Sequence, residues 1–295
     1  MSRKYYRFLK TYYAFPCLIA ASIFMPSCSQ PVQQPAGPAG VYAEAAKYFA
    51  DGKLDKAVEH TDDLAKGSPP NDYTTRARVL RVIIFSGELK AYHQLLDAYI
   101  KGIEKTKNSN AKSMFGAQRT ENLQHGLQTA LYLAQAAHYL TEGGTLPKDL
   151  MLDAPYPASE GPTQIPVLDR VMEGGIISPD EIASAALEAQ RKGIDDALGE
   201  ALGGDRAAAR STLKGGPAKL DTYKFSIFLA KQLWSAAGIF DRKHGHDPER
   251  YRTLCGEADE AAKIALATLK ESPDKDRAKE VKKIQDDIKA GLKNM

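Results

Sequence analysis

The sequence predicts an all-α protein made of antiparallel helix pairs. Apolar residues recur at spacings of three and four from residue 41 onward, as on one face of a helix. Glycine and proline interrupt this pattern at intervals, as they do between helices. Almost no segment alternates polar and apolar residues in the way of a half-exposed strand. We expect the pairs to form either a right-handed solenoid or a compact helical array.

Residues 1–27 have the order of a secretory signal peptide. Four basic residues come first, the apolar run Ala14 to Met25 follows, and Ser27 offers a small residue at a cleavage site. The apolar run has only 12 residues, whereas a membrane-spanning helix needs roughly 20. A cleaved leader is therefore favoured over a membrane span.

Met25-Pro26-Ser27-Cys28 resembles the lipobox of bacterial lipoproteins, in which a large apolar residue stands three positions before the cysteine and a small residue just before it. Pro26 departs from the usual small residue. The resemblance implies acylation of Cys28 and attachment to the membrane through this lipid anchor alone. Residues 28–40 then form an uncharged tether rich in Pro, Gln and Gly. Cleavage after Ser29, which would release a soluble periplasmic protein, is the alternative.

The charge of the remaining body is nearly balanced. Four of the 40 basic residues lie in the leader, so 36 bases face 37 acids and the net charge is −1. Such a body has no broad basic surface, and nucleic acid is excluded as a partner. Cys255 is the one cysteine left in the body. No internal disulfide can form, and a buried, inert thiol is expected.

Two short helices are predicted between residues 41 and 66, with a break at Asp51-Gly52 and an end at Gly67-Ser-Pro-Pro70. The spacing resembles the tetratricopeptide repeat, a helix-turn-helix unit of 34 residues. Its pattern positions are occupied by Ala45, Tyr48, Gly52, Leu54, Ala57 and Pro69. The same pattern predicts a second helix pair, 73–86 and 88–105, with its turn at Gly87. Gly256, Ala261 and Pro273 loosely repeat the spacing of Gly52, Ala57 and Pro69, 204 residues later.

In tetratricopeptide repeats the first helix of each pair lines a concave binding groove. The resemblance therefore implies that the groove is lined by Tyr42, Phe49, Arg78, Arg81 and Phe85. A protein, a peptide or a small molecule would be its ligand.

Further helices are predicted at about 117–142, 179–192, 194–213, 218–243, 248–271 and 275–291. Residues 41–295 thus form one helical domain, interrupted by an irregular insertion at 141–178 that holds five prolines. A run of this length is often a functional lid, and a loop that packs across the helices is the plainer alternative.

The sequence offers little chemistry. His244, His246 and Asp247 form one cluster and Glu121 and His125 another, but neither supplies the three or four ligands that zinc needs. Asp247 instead suits the N-cap of a helix that begins at Pro248. His138 is interpreted as a core or groove residue. Five aromatic residues at helical spacing are interpreted as core: Tyr223, Phe225, Phe228, Trp234 and Phe240.

No nucleophile elbow, P-loop or dinucleotide fingerprint occurs. We therefore predict no catalytic residues, no metal and no cofactor. The leading interpretation is a lipid-anchored binding or scaffold module of the bacterial cell envelope. Its general layout resembles the T-component lipoproteins of periplasmic solute transporters, which implies an accessory ligand-binding role. An enzyme that uses 141–178 as a lid and a purely structural assembly subunit are the alternatives.

Overall fold

The computed structural model describes residues 37–142, 144–147, 149–241, 244–270 and 273–294, the last without its side chain. The predicted signal peptide, Cys28 and the tether up to residue 36 lie outside the described residues.

The described chain is almost entirely helical, which confirms the all-α class. Its helices are α1 (Pro38–Ala50), α2 (Leu54–Ala65), α3 (Asp72–Lys105), α4 (Ser109–Leu140), α5 (Pro166–Met172), α6 (Pro179–Ala201), α7 (Arg206–Lys214), α8 (Thr222–Gly238), α9 (Pro248–Thr268) and α10 (Lys275–Asn294). Two strands of two residues, β1 (Met151–Leu152) and β2 (Ala218–Lys219), pair antiparallel. None of the described helices is long and apolar enough to cross a membrane.

Polar side chains fix where many of these helices begin. In each case a side-chain oxygen accepts a hydrogen bond from a backbone N–H of the first turn, which would otherwise lack a partner. Ser178 and Glu181 form a full capping box at the start of α6. Asp247 caps α9 with Pro248 in its first turn, as predicted. Further caps of this kind are Asn71, Asn108, Asp205, Asp221 and Asp274.

The first predicted helix pair is present. Gly52 lies between α1 and α2 with a φ of +71°, a conformation that glycine adopts without steric cost. The Lys53 N–H donates to the carbonyl of Tyr48 across this turn, at 2.8 Å. Ala57 is completely buried, so the pair packs closely at the predicted position.

The second turn was predicted wrongly, because Gly87 lies inside α3, which runs unbroken from Asp72 to Lys105. Gly256 lies inside α9, within the helix predicted at 248–271. Gly87 is explained by a helix crossing, because a Cβ there would stand 2.8 Å from the Cα of Ile194 on α6. Sequence spacing alone does not distinguish a turn glycine from a contact glycine. A compact helical array fits these helices, and the solenoid is not confirmed.

Helix α3 is the centre of the described body. It contacts α1, α2, α4, α5, α6 and α8, and its middle turns from Val79 to Gly87 are buried on all sides. On one side the main core continues through α8 and α9, where most of the predicted aromatic residues are buried and Trp234 is partly buried. A smaller core forms where α5 and α6 cover Leu95 and Tyr99.

The segment 141–178 contains more structure than the sequence predicts, because β1 and α5 lie within it. Leu150, Leu152 and Leu168 are almost completely buried. The Ala158 N–H donates to the carbonyl of Ala50 on α1, and the Gly161 N–H donates to the Asp195 carboxylate on α6, at 2.9 and 2.7 Å. The described part of the segment therefore packs across the helices and contributes to both cores.

Candidate functional site

The five residues predicted to line a groove are buried in the structure. Tyr42, Phe49 and Phe85 are at most 2% exposed. Phe85 packs against the ring of Tyr132 on α4, with 5.5 Å between the ring centroids. Phe49 borders a narrow cavity beside the α1–α2 turn.

The two predicted arginines connect helices to one another. The Arg78 guanidinium donates to the backbone carbonyls of Ala65 and Tyr139, both at 2.7 Å, and so links the ends of α2 and α4. The Arg81 guanidinium donates to the carbonyl of Val58 at 2.9 Å and pairs with a carboxylate of α2. Each side chain is only 7% exposed. Arg78, Arg81 and Phe85 therefore lie on a face of α3 that is covered by α2 and α4.

A different face of α3 is open to a cavity of about 260 Å³ between α3, α4 and α6. Its floor belongs to α3, one wall to α4 and the other to α6. We call it the α3 cavity, and its lining residues are Glu88, Ala91, Tyr92, Leu95, Asn122, Ala186, Leu187 and Gln190. This lining combines apolar surface with a small number of polar groups, as ligand sites in proteins do.

A close helix crossing holds the floor and one wall of the α3 cavity together. Gly87 and Gly193 face each other where α3 meets α6, and a Cβ on Gly193 would lie 2.1 Å from the Gly87 carbonyl oxygen. Only glycine allows two helix backbones to approach this closely. The crossing brings Gln190, three residues before Gly193, beside Glu88, one residue after Gly87.

Glu88 gives the α3 cavity its electrostatic character. Burial raises the pKa of its carboxyl to about 8, and the negative charge of Asp55 on α2 raises it further, while a hydrogen bond from the Gln190 side chain opposes both effects. A carboxyl out of water resists ionisation unless a positive charge or several hydrogen-bond donors compensate. Near neutral pH Glu88 is therefore mostly in its uncharged form when no cation lies beside it.

Tyr92 and Asn122 supply the other polar groups. Burial raises the pKa of the Tyr92 hydroxyl well above its usual range, so this group stays protonated. The Tyr92 ring stacks on His125 of α4, with ring centroids 5.8 Å apart. The Asn122 side-chain amide donates to the Gln118 carbonyl at 2.8 Å, which leaves the side-chain oxygen of Asn122 to act as an acceptor.

The narrow cavity beside the α1–α2 turn adjoins the α3 cavity, because Leu187 and Gln190 line both. Pro157 and Ser159 of the 141–178 segment form part of its wall. Leu187 is 45% exposed and offers apolar surface at the entrance to both spaces.

A larger cavity of about 660 Å³ lies between α8, α10 and the end of α6. We call it the α8–α10 cavity. Its two carboxylates are both paired with cations: Glu200 with Lys90 and Glu280 with Lys231, each at 2.9 Å. A fourth space, about 730 Å³, is an open surface groove along α1 and α2.

The remaining candidates from the sequence are placed as follows. Within the described residues no group of three or more His, Cys, Asp or Glu side chains is arranged to hold a metal ion. The His244 imidazole lies 2.8 Å from the Asp241 carboxylate. His138 is exposed, so it is not a core residue. Cys255 is buried, as predicted, and burial raises the pKa of its thiol to about 11.

Sequence reasoning missed the α3 cavity altogether. One signal was available: Glu88 is a charged residue directly after the apolar run of α3, beside Gly87. The residues Asn122 and Gln190 carry no such signal, because their neighbourhood depends on how α4 and α6 pack on α3.

Comparison of the chain with protein-family models, with curated proteins and with solved structures finds no match.

Proposed function

We propose that this chain is a binding protein of the bacterial cell envelope that holds a small ligand in the α3 cavity. The observation that carries the proposal is the half-buried Glu88 at the floor of that cavity, among apolar walls and the neutral polar groups of Tyr92, Asn122 and Gln190. Placing a carboxyl there costs folding free energy. A ligand contact is a physical reason for a protein to keep it.

The envelope location rests on the leader and on Cys28. The order of basic residues, a short apolar run and the lipobox-like Met25-Pro26-Ser27-Cys28 supports export followed by acylation of Cys28. Metabolic labelling with a fatty acid tests this part. We expect the label to be lost in Cys28→Ala and kept in Cys17→Ala, and any other result contradicts the anchor.

Blocking the α3 cavity tests the ligand site. Ala186 lines the cavity from α6, and a phenylalanine there would fill much of its volume. Ligand-observed NMR of wild type with a library of small neutral, cationic and anionic fragments should reveal binders. We expect Ala186→Phe to abolish their binding.

Ala183→Phe is the matched control, because Ala183 lies on the exposed face of the same helix. It should keep the binding of wild type. Fragments that bind Ala186→Phe as well as wild type would place the site elsewhere. A library without any binder would remove the proposal.

A further inference from the structure

The Glu88 carboxyl is the only charged side chain among the residues that line the α3 cavity. Within the described residues it forms no ion pair with a lysine, arginine or histidine. Other carboxylates nearby are paired: Asp196 of α6 contacts both Lys192 and Arg206, at 2.8 and 2.7 Å. Glu88 therefore faces a cavity that lacks a positive charge for it.

The rest of the lining matches a particular shape of ligand. The side-chain amide nitrogen of Asn122 donates to the Gln118 carbonyl, and that of Gln190 donates to Glu88. The side-chain oxygens of Asn122 and Gln190 therefore remain as acceptors. With the Glu88 carboxylate they make three acceptor groups, which equals the number of N–H donors on a primary ammonium ion. Leu95 and Leu187 offer apolar surface for a short hydrocarbon chain.

Resting on the function proposed above, we propose that the α3 cavity binds a small primary amine, whose ammonium group pairs with Glu88 while its hydrocarbon part lies against Leu95 and Leu187. A quaternary ammonium ion fits less well, because it is usually held by several aromatic rings and Tyr92 is the one aromatic residue in the lining. An anionic ligand would find no cation in the lining and would meet the negative charge of Asp55.

Binding should release a proton. Burial and the charge of Asp55 favour the protonated Glu88 carboxyl, since its pKa is about 8. An ammonium ion beside it favours the carboxylate. At pH 7 the amine enters as an ammonium ion, the proton leaves Glu88 for the solvent, and the pair carries no net charge. The neighbouring titratable groups are Asp55 of α2, Tyr92 of α3, Glu121 and His125 of α4, and Arg191 of α6.

Calorimetric titration with three probes of one length tests the proposal: n-pentylamine, 1-pentanol and pentanoate. We expect pentylamine to bind most tightly and pentanoate least. Glu88→Gln should weaken the binding of pentylamine by at least about tenfold, the usual effect of losing a hydrogen bond to a charged group. It should leave the affinity for 1-pentanol unchanged. Titrations in two buffers of different ionisation enthalpy should show close to one proton released per pentylamine bound at pH 7, and none in Glu88→Gln.

Glu104→Gln is the matched control, because it removes a carboxyl from an exposed position of the same helix. It should bind all three probes as wild type does. If 1-pentanol binds as tightly as pentylamine and Ala186→Phe abolishes both, the amine class is wrong and the cavity remains a ligand site. Equal affinity of wild type and Glu88→Gln for pentylamine also overturns the amine class. If none of the probes binds wild type and the fragment library has no binder, both proposals fail.

Discussion

The α3 cavity and the α8–α10 cavity differ in whether their carboxyl groups are paired with cations. In the larger α8–α10 cavity each carboxylate is paired: the Glu280 carboxylate accepts hydrogen bonds from the Lys231 ammonium at 2.9 Å and from the Tyr223 hydroxyl at 3.0 Å. In the smaller α3 cavity Glu88 has only a neighbouring amide. The protein itself therefore supplies cations to the carboxylates of the larger cavity, whereas the Glu88 carboxyl has no cationic partner among the described residues. The pairing of the carboxyl groups, and not the volume, separates the two cavities.

The helix crossing beside Glu88 holds the α3 cavity together, so we expect a substitution there to have the largest effect on stability and on ligand binding. A Cβ on Gly193 would lie within 2.1 Å of the Gly87 carbonyl oxygen, so Gly193→Ala must push α3 and α6 apart. Overpacking of this kind costs about 3 kcal/mol of unfolding free energy at its upper range. Chemical denaturation should show this loss, and ligand binding in the α3 cavity should disappear with it.

Gly256→Ala is the control for this substitution. Gly256 also lies inside a helix, but a Cβ there has no neighbour within 4 Å. Alanine should stabilise α9 by up to about 1 kcal/mol through helix propensity. Similar effects of the two substitutions would contradict the close crossing.

Glu88→Gln should stabilise the protein at alkaline pH. The folded-state pKa is about 8, above the ordinary value of 4.5, so the folded state holds its proton more tightly than the unfolded state. The stabilising contribution of this proton is complete below pH 4.5 and is lost as pH rises through 8. At pH 9 glutamine avoids burying a charge, and we expect a gain of about 2 kcal/mol.

Denaturation of wild type, Glu88→Gln and Glu104→Gln between pH 4 and pH 9 measures this effect. The exposed Glu104 reports the influence of net charge alone. A constant difference between wild type and Glu88→Gln across this range would show that Glu88 is not held in an unfavourable environment.

The sequence predicted what depends on local chemistry. The helical class, the α1–α2 turn at Gly52 and the cap at Asp247 follow from periodicity and from residues with strong local preferences. The α3 cavity depends instead on residues far apart in the sequence, such as Glu88 and Gln190, which a helix crossing brings together. Gly87 illustrates the limit, because the same residue type serves turns and helix contacts. The burial of Arg78, Arg81 and Phe85 likewise depends on α2 and α4, which pack on α3.

His93 extends the comparison to a half-buried basic group of α3. Its ring nitrogen lies 3.2 Å from the Ser235 hydroxyl of α8, and burial lowers its pKa to about 4. The folded state thus prefers the neutral ring. This stability is present above pH 6.5 and is lost as pH falls through 4. We expect the unfolding free energy of wild type to fall by about 1.5 kcal/mol more than that of His93→Gln between pH 7 and pH 4. Equal losses in the two proteins would contradict this.

The smallest expected effect comes from Glu280→Gln, the same change as in Glu88→Gln but in the α8–α10 cavity. Burial raises the pKa of the Glu280 carboxyl, but the hydrogen bonds from Lys231 and Tyr223 outweigh it and hold the pKa below its usual value. The carboxylate therefore stabilises the fold above pH 4.5, and this contribution is lost as pH falls. Because the Glu280 side chain is 43% exposed, solvent screens the pair and its loss should cost only about 0.5 kcal/mol. High salt should reduce the loss.

Denaturation at pH 8 should thus give opposite signs for one substitution in two cavities, a gain for Glu88→Gln and a small loss for Glu280→Gln. A gain in both would mean that Glu280 is as poorly compensated as Glu88, which would contradict the proposed contrast between a paired and an unpaired carboxyl group.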